Sequence, residues 1–199
     1  MSPRPNVSDA RKSQILQAAE EVFSKKGFEA ARMDDIAEQT GLSKGTLYLY
    51  FKNKEALVLA ILDRLFQHEV QQMESQVAGE SASQAIERVT ELVAQDITGM
   101  LRLLPIVYSF LALTFRNRTV QRALKAYLRR YLDMLTPLVQ AGIDRGEFRP
   151  VQAREVAIAA SAIIEGTVLL WVYDREAIDP ARHIRSGMRL LLEGVRARG

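Results

Sequence analysis

Apolar positions recur at helical spacing along almost the whole chain, and nowhere does the every-second-residue alternation of a half-buried strand develop. Residues 1–8 carry two prolines and no period, and read as a loose arm. From Asp9 the pattern turns helical, with Ile15, Ala19, Val22 and Phe23 on one face and Gly27 placed to stop the helix. A second short period, Met33, Ile36 and Ala37, ends at Gly41, whose missing Cβ suits a left-handed turn. Ser43 then caps a third helix, Lys44 to Phe51, in which Leu47 and Phe51 point the same way. Asn53 caps a fourth, longer helix carrying Leu57, Ile61 and Leu65.

Beyond about residue 78 the pattern stays helical. Breaks are expected at 79–83, Pro105, Asn117, 142–150 and 177–180, and Pro137 should kink a helix. The fold class expected is therefore all-α, with three short helices in front of five or six longer ones. The domain plan is an arm at 1–8, a domain of short helices at 9–54 and a larger helical domain at 55–199.

With 199 residues, 48% of them hydrophobic, the chain can fill a packed core. It contains no cysteine, which removes disulfides, thiolate metal sites and cysteine nucleophiles together. Only His68 and His183 remain as imidazole ligands, so no metal site, cofactor or catalytic residue is assigned. The start Met1-Ser2-Pro3-Arg4 lacks the apolar core of a secretory leader, and the chain reads as cytoplasmic. The apolar run Val156–Tyr173 approaches membrane-spanning length but carries Glu165 near its middle, which favours a helix buried in protein over one in a bilayer. A net charge of +3 permits a nucleic-acid partner without requiring one.

Helix, tight turn at Gly41, helix is the helix-turn-helix arrangement. If Leu47 and Phe51 are buried, Lys44, Thr46, Tyr48 and Tyr50 are left on or beside the outward face. That face offers a cation, hydroxyls and aromatic rings to phosphates and base edges, and Gly45 lets the backbone approach closely. Lys52 and Lys54 sit at the start of the next helix, where a bound anion would offset their opposition to the helix dipole.

The run Ile15-Leu16-Gln17-Ala18-Ala19, Phe23, Gly27-Phe28, Asp35-Ile36-Ala37, Gly41 to Tyr48 and Tyr50 to Glu55 resembles, in order and spacing, the DNA-binding domain of the TetR family of transcriptional regulators. The match covers roughly residues 10–65. Gly146-Glu147-Phe148-Arg149-Pro150, followed by the apolar helix with Glu165 and Trp171, resembles the family less specifically. The resemblance implies a homodimeric repressor released from a palindromic operator in double-stranded DNA by a small-molecule effector. It implies a recognition helix containing Lys44, Gly45, Thr46, Tyr48 and Tyr50, with Tyr48 and Lys54 on phosphates. Arg32 stands where the family usually has Thr or Ser, and its guanidinium would have to reach the same phosphate.

Two C-terminal helices are candidates for the dimer interface. One is apolar nearly all round and includes Ile163, Thr167 and Leu170; the other carries the stripe Ile184, Met188, Leu191, Leu192 and Val195. An intramolecular core contact explains the same periodicity. For the effector, His68, Arg102, Tyr108, Phe115, Tyr131, Met134, Glu165 and Trp171 are the candidate lining, although each aromatic reads first as core. A largely apolar effector follows from such a lining. The basic run Arg116, Arg118, Arg122, Lys125, Arg129 and Arg130 reads first as a solvated face and second as an anionic-ligand site. Rival functions are an architectural DNA-binding protein without effector and an all-helical enzyme, although no phosphate loop, nucleophile elbow or metal cluster is present.

Overall fold

A computed structural model describes residues 7–76 and 80–197, with the side chains of most of them. Among the described residues there are eight helices and no strand: α1 (Val7–Ala30), α2 (Met33–Thr40), α3 (Lys44–Tyr50), α4 (Lys54–Gln76), α5 (Ala82–Leu113), α6 (Arg118–Asp144), α7 (Ala153–Tyr173) and α8 (Pro180–Val195). The residues of the N-terminal arm before Val7 lie outside the described residues.

The helix boundaries have local causes. Gly27 leaves the helical region at φ 75° inside α1, and Gly41 takes the left-handed conformation, φ 68°, that closes α2. Ser43 Oγ accepts the Thr46 N–H at 3.1 Å, and Asn53 Oδ1 accepts that of Ala56 at 2.9 Å, so α3 and α4 are both side-chain capped. Asp179 Oδ1 does the same for α8 through the Arg182 N–H, with Pro180 in the first turn. One expectation changes at a proline: helix α5 continues through Pro105, where a break was expected, whereas Pro137 lies inside α6, where the sequence placed it.

The described residues fall into two compact units, one of 7–66 with 102–125, the other of 67–76 and 80–101 with 126–197. In the first, Ile15, Phe23, Ile36, Leu47, Leu57 and Ile61 are fully buried, fixing α1, α2 and α3 against the start of α4. In the second, α5, α6, α7 and α8 contribute Val93, Leu135, Ala157, Ile184 and Met188 to one core, with Phe148 inserted from the loop after α6. Phe148 lies so close to Gly142 that a Cβ there would come within 2.3 Å of its ring. The Glu147 carboxylate accepts the N–H groups of Ala82 and Ser83 at 3.2 and 3.1 Å, capping α5 from 65 residues away. The adjoining backbone pairs with the chain's end, Arg149 N–H to Val195 O and Ala197 N–H to Glu147 O.

Candidate nucleic-acid interface and regulatory half

Leu47, fully buried, pins α3 by its inner face, and the opposite face stays in solvent. Ser43, Lys44, Gly45 and Tyr48 are exposed, and Leu49 is 85% exposed. Thr46 and Tyr50 are only half-buried to the side, and the Thr46 hydroxyl is engaged with Ser43 Oγ at 2.8 Å. The outward face therefore centres on Lys44, Gly45, Tyr48 and Leu49. Leu49 escaped the sequence reading because an apolar residue there looks like core, yet it stands four residues after Gly45 and on the same face. A shallow groove of about 490 Å³ beside this face is lined in part by Arg32, Asp34, Lys44, Tyr48, Lys52 and Lys54.

The cations around the groove hold different partners. Lys44 Nζ lies 2.7 Å from Asp34 Oδ1, an exposed pair across α3 and α2, and the carboxylate raises the lysine's pKa chiefly through that hydrogen bond. A guanidinium has no acceptor, so Arg32 cannot cap α2 with its side chain; its backbone N–H instead donates to Asp35 Oδ2 at 2.8 Å. Lys26 reaches Asp35 Oδ1 at 2.8 Å, and these two bonds lower the Asp35 pKa, the lysine contributing most. Arg32 and Lys52 are exposed. Lys54 is placed otherwise than a free phosphate ligand: its Nζ donates to Phe28 O at 2.7 Å and Glu29 O at 3.0 Å and sits 4.8 Å from the Phe28 ring centroid. It ties α4 to carbonyls at the broken end of α1, leaving one of three N–H donors for anything else.

The regulatory candidates do not gather in one place. The side chains of His68 and Arg102 lie outside the described residues. Tyr108 is half-buried and Phe115 is 93% exposed, so Phe115 faces solvent and not a cavity. In the second unit Tyr131 is buried, edge-on to Tyr127 at 5.2 Å, and Met134 packs against the same core. Trp171 is half-buried with the Arg175 guanidinium 4.6 Å over its ring. Glu165 belongs to an outer stripe of α7, Ile158, Ala162, Glu165, Leu169 and Val172, all exposed. Desolvation by that apolar company raises its pKa.

The stripe expected at a dimer contact is core. Ile184, Met188, Leu192 and Val195 are buried within the chain itself, Leu191 packs against them, and Ile163 and Thr167 are half-buried. The cause is Gly187, where a Cβ would stand 2.7 Å from Ile163 Cγ2: the missing side chain lets α8 sit close on α7. Of the expected interface, Leu170 alone is exposed. What remains open on α7 and α8 is the outer stripe of α7, with Leu170 and Tyr173, and Leu190 of α8.

A helix-turn-helix headpiece with an exposed polar reading face, attached to a helical body, defines a DNA-binding transcriptional regulator. Residues 15–61 match the family model of the bacterial regulatory proteins of the tetR family, and residues 85–194 that of the BetI-type transcriptional repressor C-terminal domain. The chain is 30% identical over 190 residues to the fatty acid metabolism regulator protein of Bacillus subtilis strain 168, spanning 92% of this chain and 94% of that one. It is 32% identical over 158 residues to the HTH-type transcriptional regulator YfiR of the same organism, 76% of each chain. The crystal structure of the transcriptional regulator FadR from Bacillus subtilis in complex with stearoyl-CoA matches with a TM-score of 0.79 at 26% identity, over 92% of this chain and 99% of that chain. The chain belongs to the TetR family of DNA-binding transcriptional regulators.

Proposed function

We propose that the chain represses transcription as a homodimer on a palindromic operator and leaves it when a largely apolar, acyl-bearing effector binds. The observation that carries this is the outward face of α3, where Lys44, Tyr48 and Leu49 stand clear of a buried Leu47. An ammonium and a phenol serve phosphates and base edges, and an exposed Leu serves a thymine methyl group. Two-fold symmetry of a dimer would set two such helices on successive major grooves. For the effector, the support is the similarity to a fatty acid metabolism regulator along nearly the whole chain and to a structure containing stearoyl-CoA.

The test selects bound duplexes from a random pool and then measures release by fluorescence anisotropy with acyl-CoAs of increasing chain length, free CoA being the control. A palindromic consensus and chain-length-dependent release are expected. Retention of DNA in the presence of every acyl-CoA would remove the acyl effector, and the absence of any consensus would remove the operator.

A further inference from the structure

The chain's positive charge is concentrated away from its DNA-reading helices. Residues 1–66 hold ten cations and nine carboxylates, a net +1, although this segment contains the whole helix-turn-helix. Between Asp96 and Asp133 there are seven cations and no carboxylate, so the rest of the +3 chain sums to −4. Four of those cations, Arg116, Arg118, Arg122 and Lys125, lie at the α5–α6 corner and along the first turns of α6. Arg118, Arg122 and Lys125 recur at spacings of four and three, which puts them on one face of the helix. All four are exposed, and none is paired with a carboxylate among the described residues. The single hydrogen bond that their side chains make to a described residue is Arg122 Nε to Arg118 O at 3.3 Å, an intrahelical one. Asn117 fixes the corner by accepting the N–H groups of Thr119 and Val120, so the ridge starts from a defined turn. The corner belongs to the same compact unit as the helix-turn-helix, and the five cations of residues 102–125 raise that unit from +1 to +6, while the other unit carries −3.

We infer that this ridge is a second, sequence-independent DNA contact, made by the phosphodiester backbone with Arg116, Arg118, Arg122 and Lys125. Counterion release, which supplies most non-specific affinity for DNA, grows with the number of phosphates that cations neutralise, and in the headpiece ten cations are nearly matched by nine carboxylates. A row of three guanidinium groups and one ammonium without carboxylate partners adds to it. Arginine suits the role because its planar fork takes a phosphate in bidentate fashion. The polyanion named is DNA because the ridge shares a unit with the residues that read DNA; the phosphates of an acyl-CoA are the competing source.

The experiment compares the full chain with the variant Arg116→Gln/Arg118→Gln/Arg122→Gln/Lys125→Gln, checked for an unchanged melting temperature, on an operator duplex and a scrambled duplex over a salt series. A control, Arg154→Gln/Arg175→Gln, removes exposed charge from the other unit. The expected result is that the slope of log affinity against log salt flattens by about 0.9 for each phosphate that the variant no longer neutralises. The flattening should be equal on both duplexes and leave their affinity ratio intact, while the control keeps the original slope. An unchanged slope in the ridge variant overturns the inference, as does the same flattening per charge in the control. Normal DNA binding combined with loss of release by stearoyl-CoA also overturns it and gives the ridge to the effector's phosphates. None of these outcomes touches the reading of α3, which fails only if operator and scrambled duplex bind alike.

Discussion

At the scale of single residues, the same side-chain chemistry serves two ends, and partners decide between them. Lys44 and Lys54 are both lysines beside the reading helix, and the family resemblance gives both to DNA. Lys44 holds an exposed carboxylate that a phosphate can replace, whereas Lys54 holds two backbone carbonyls that have few other donors. Lys54→Ala is therefore expected to lower stability by about 1 to 2 kcal/mol, the range for hydrogen bonds to a charged group whose acceptors are left short. Thermal unfolding reads that change. If melting is unchanged while the salt slope on DNA falls by about one unit, Lys54 is a phosphate ligand after all. The sequence could not separate the two lysines, because Phe28 and Glu29 lie 26 and 25 residues from Lys54 and no local pattern connects them. Leu47 and Gly41, by contrast, were legible, since burial of a short helix and a left-handed stop are set by the nearest few residues.

At the scale of elements, the caps were readable and the pairing of faces was not. Ser43, Asn53 and Gly41 end or begin helices where the sequence placed them. The stripe Ile184, Met188, Leu192 and Val195 was equally visible, but periodicity says that a face is buried without saying against what. Gly187 resolves it by admitting Ile163, a contact 24 residues apart. The opposite edge of α8 is fastened by charge. Arg185 donates from Nε and Nη2 to both oxygens of Glu91 on α5 at 2.7 and 2.8 Å. Those bonds, with one from Gln95, lower the Glu91 pKa from 4.5 to about 2. A depressed carboxylate pKa contributes stability that is present above the unfolded value and disappears as pH falls through the folded one. The melting difference between the wild type and Glu91→Gln should hold at neutral pH and shrink between pH 4.5 and about 2. A constant difference across that window would mean that the pair contributes no charge-dependent stability. The ion pair is half exposed, so added salt should weaken it as well.

At the scale of the whole molecule, α7 poses the question of what covers it. By length and composition it is apolar enough to cross a bilayer, yet its inner residues Ala153, Val156, Ala157 and Ala160 are buried in the core. Its outer stripe, Ile158, Ala162, Glu165, Leu169 and Val172, is exposed, as is Leu190 of α8, and exposed apolar surface of this kind marks an interface. A second copy is the partner proposed, because a two-fold axis across α7 would bury the stripe against itself. Glu165 then sits inside the contact, where its raised pKa already reflects poor solvation. Ile158→Glu/Leu169→Glu should raise the dimer dissociation constant at least about tenfold, a change of about 1.4 kcal/mol. Operator affinity should fall with it while melting of the monomer stays near that of the parent, because both positions are exposed. Met188→Glu separates this from simple damage: it puts a carboxylate into a site 3% exposed and should unfold the chain instead of freeing monomers. Sedimentation showing an intact dimer in the Ile158/Leu169 variant would place the two-fold axis on another face.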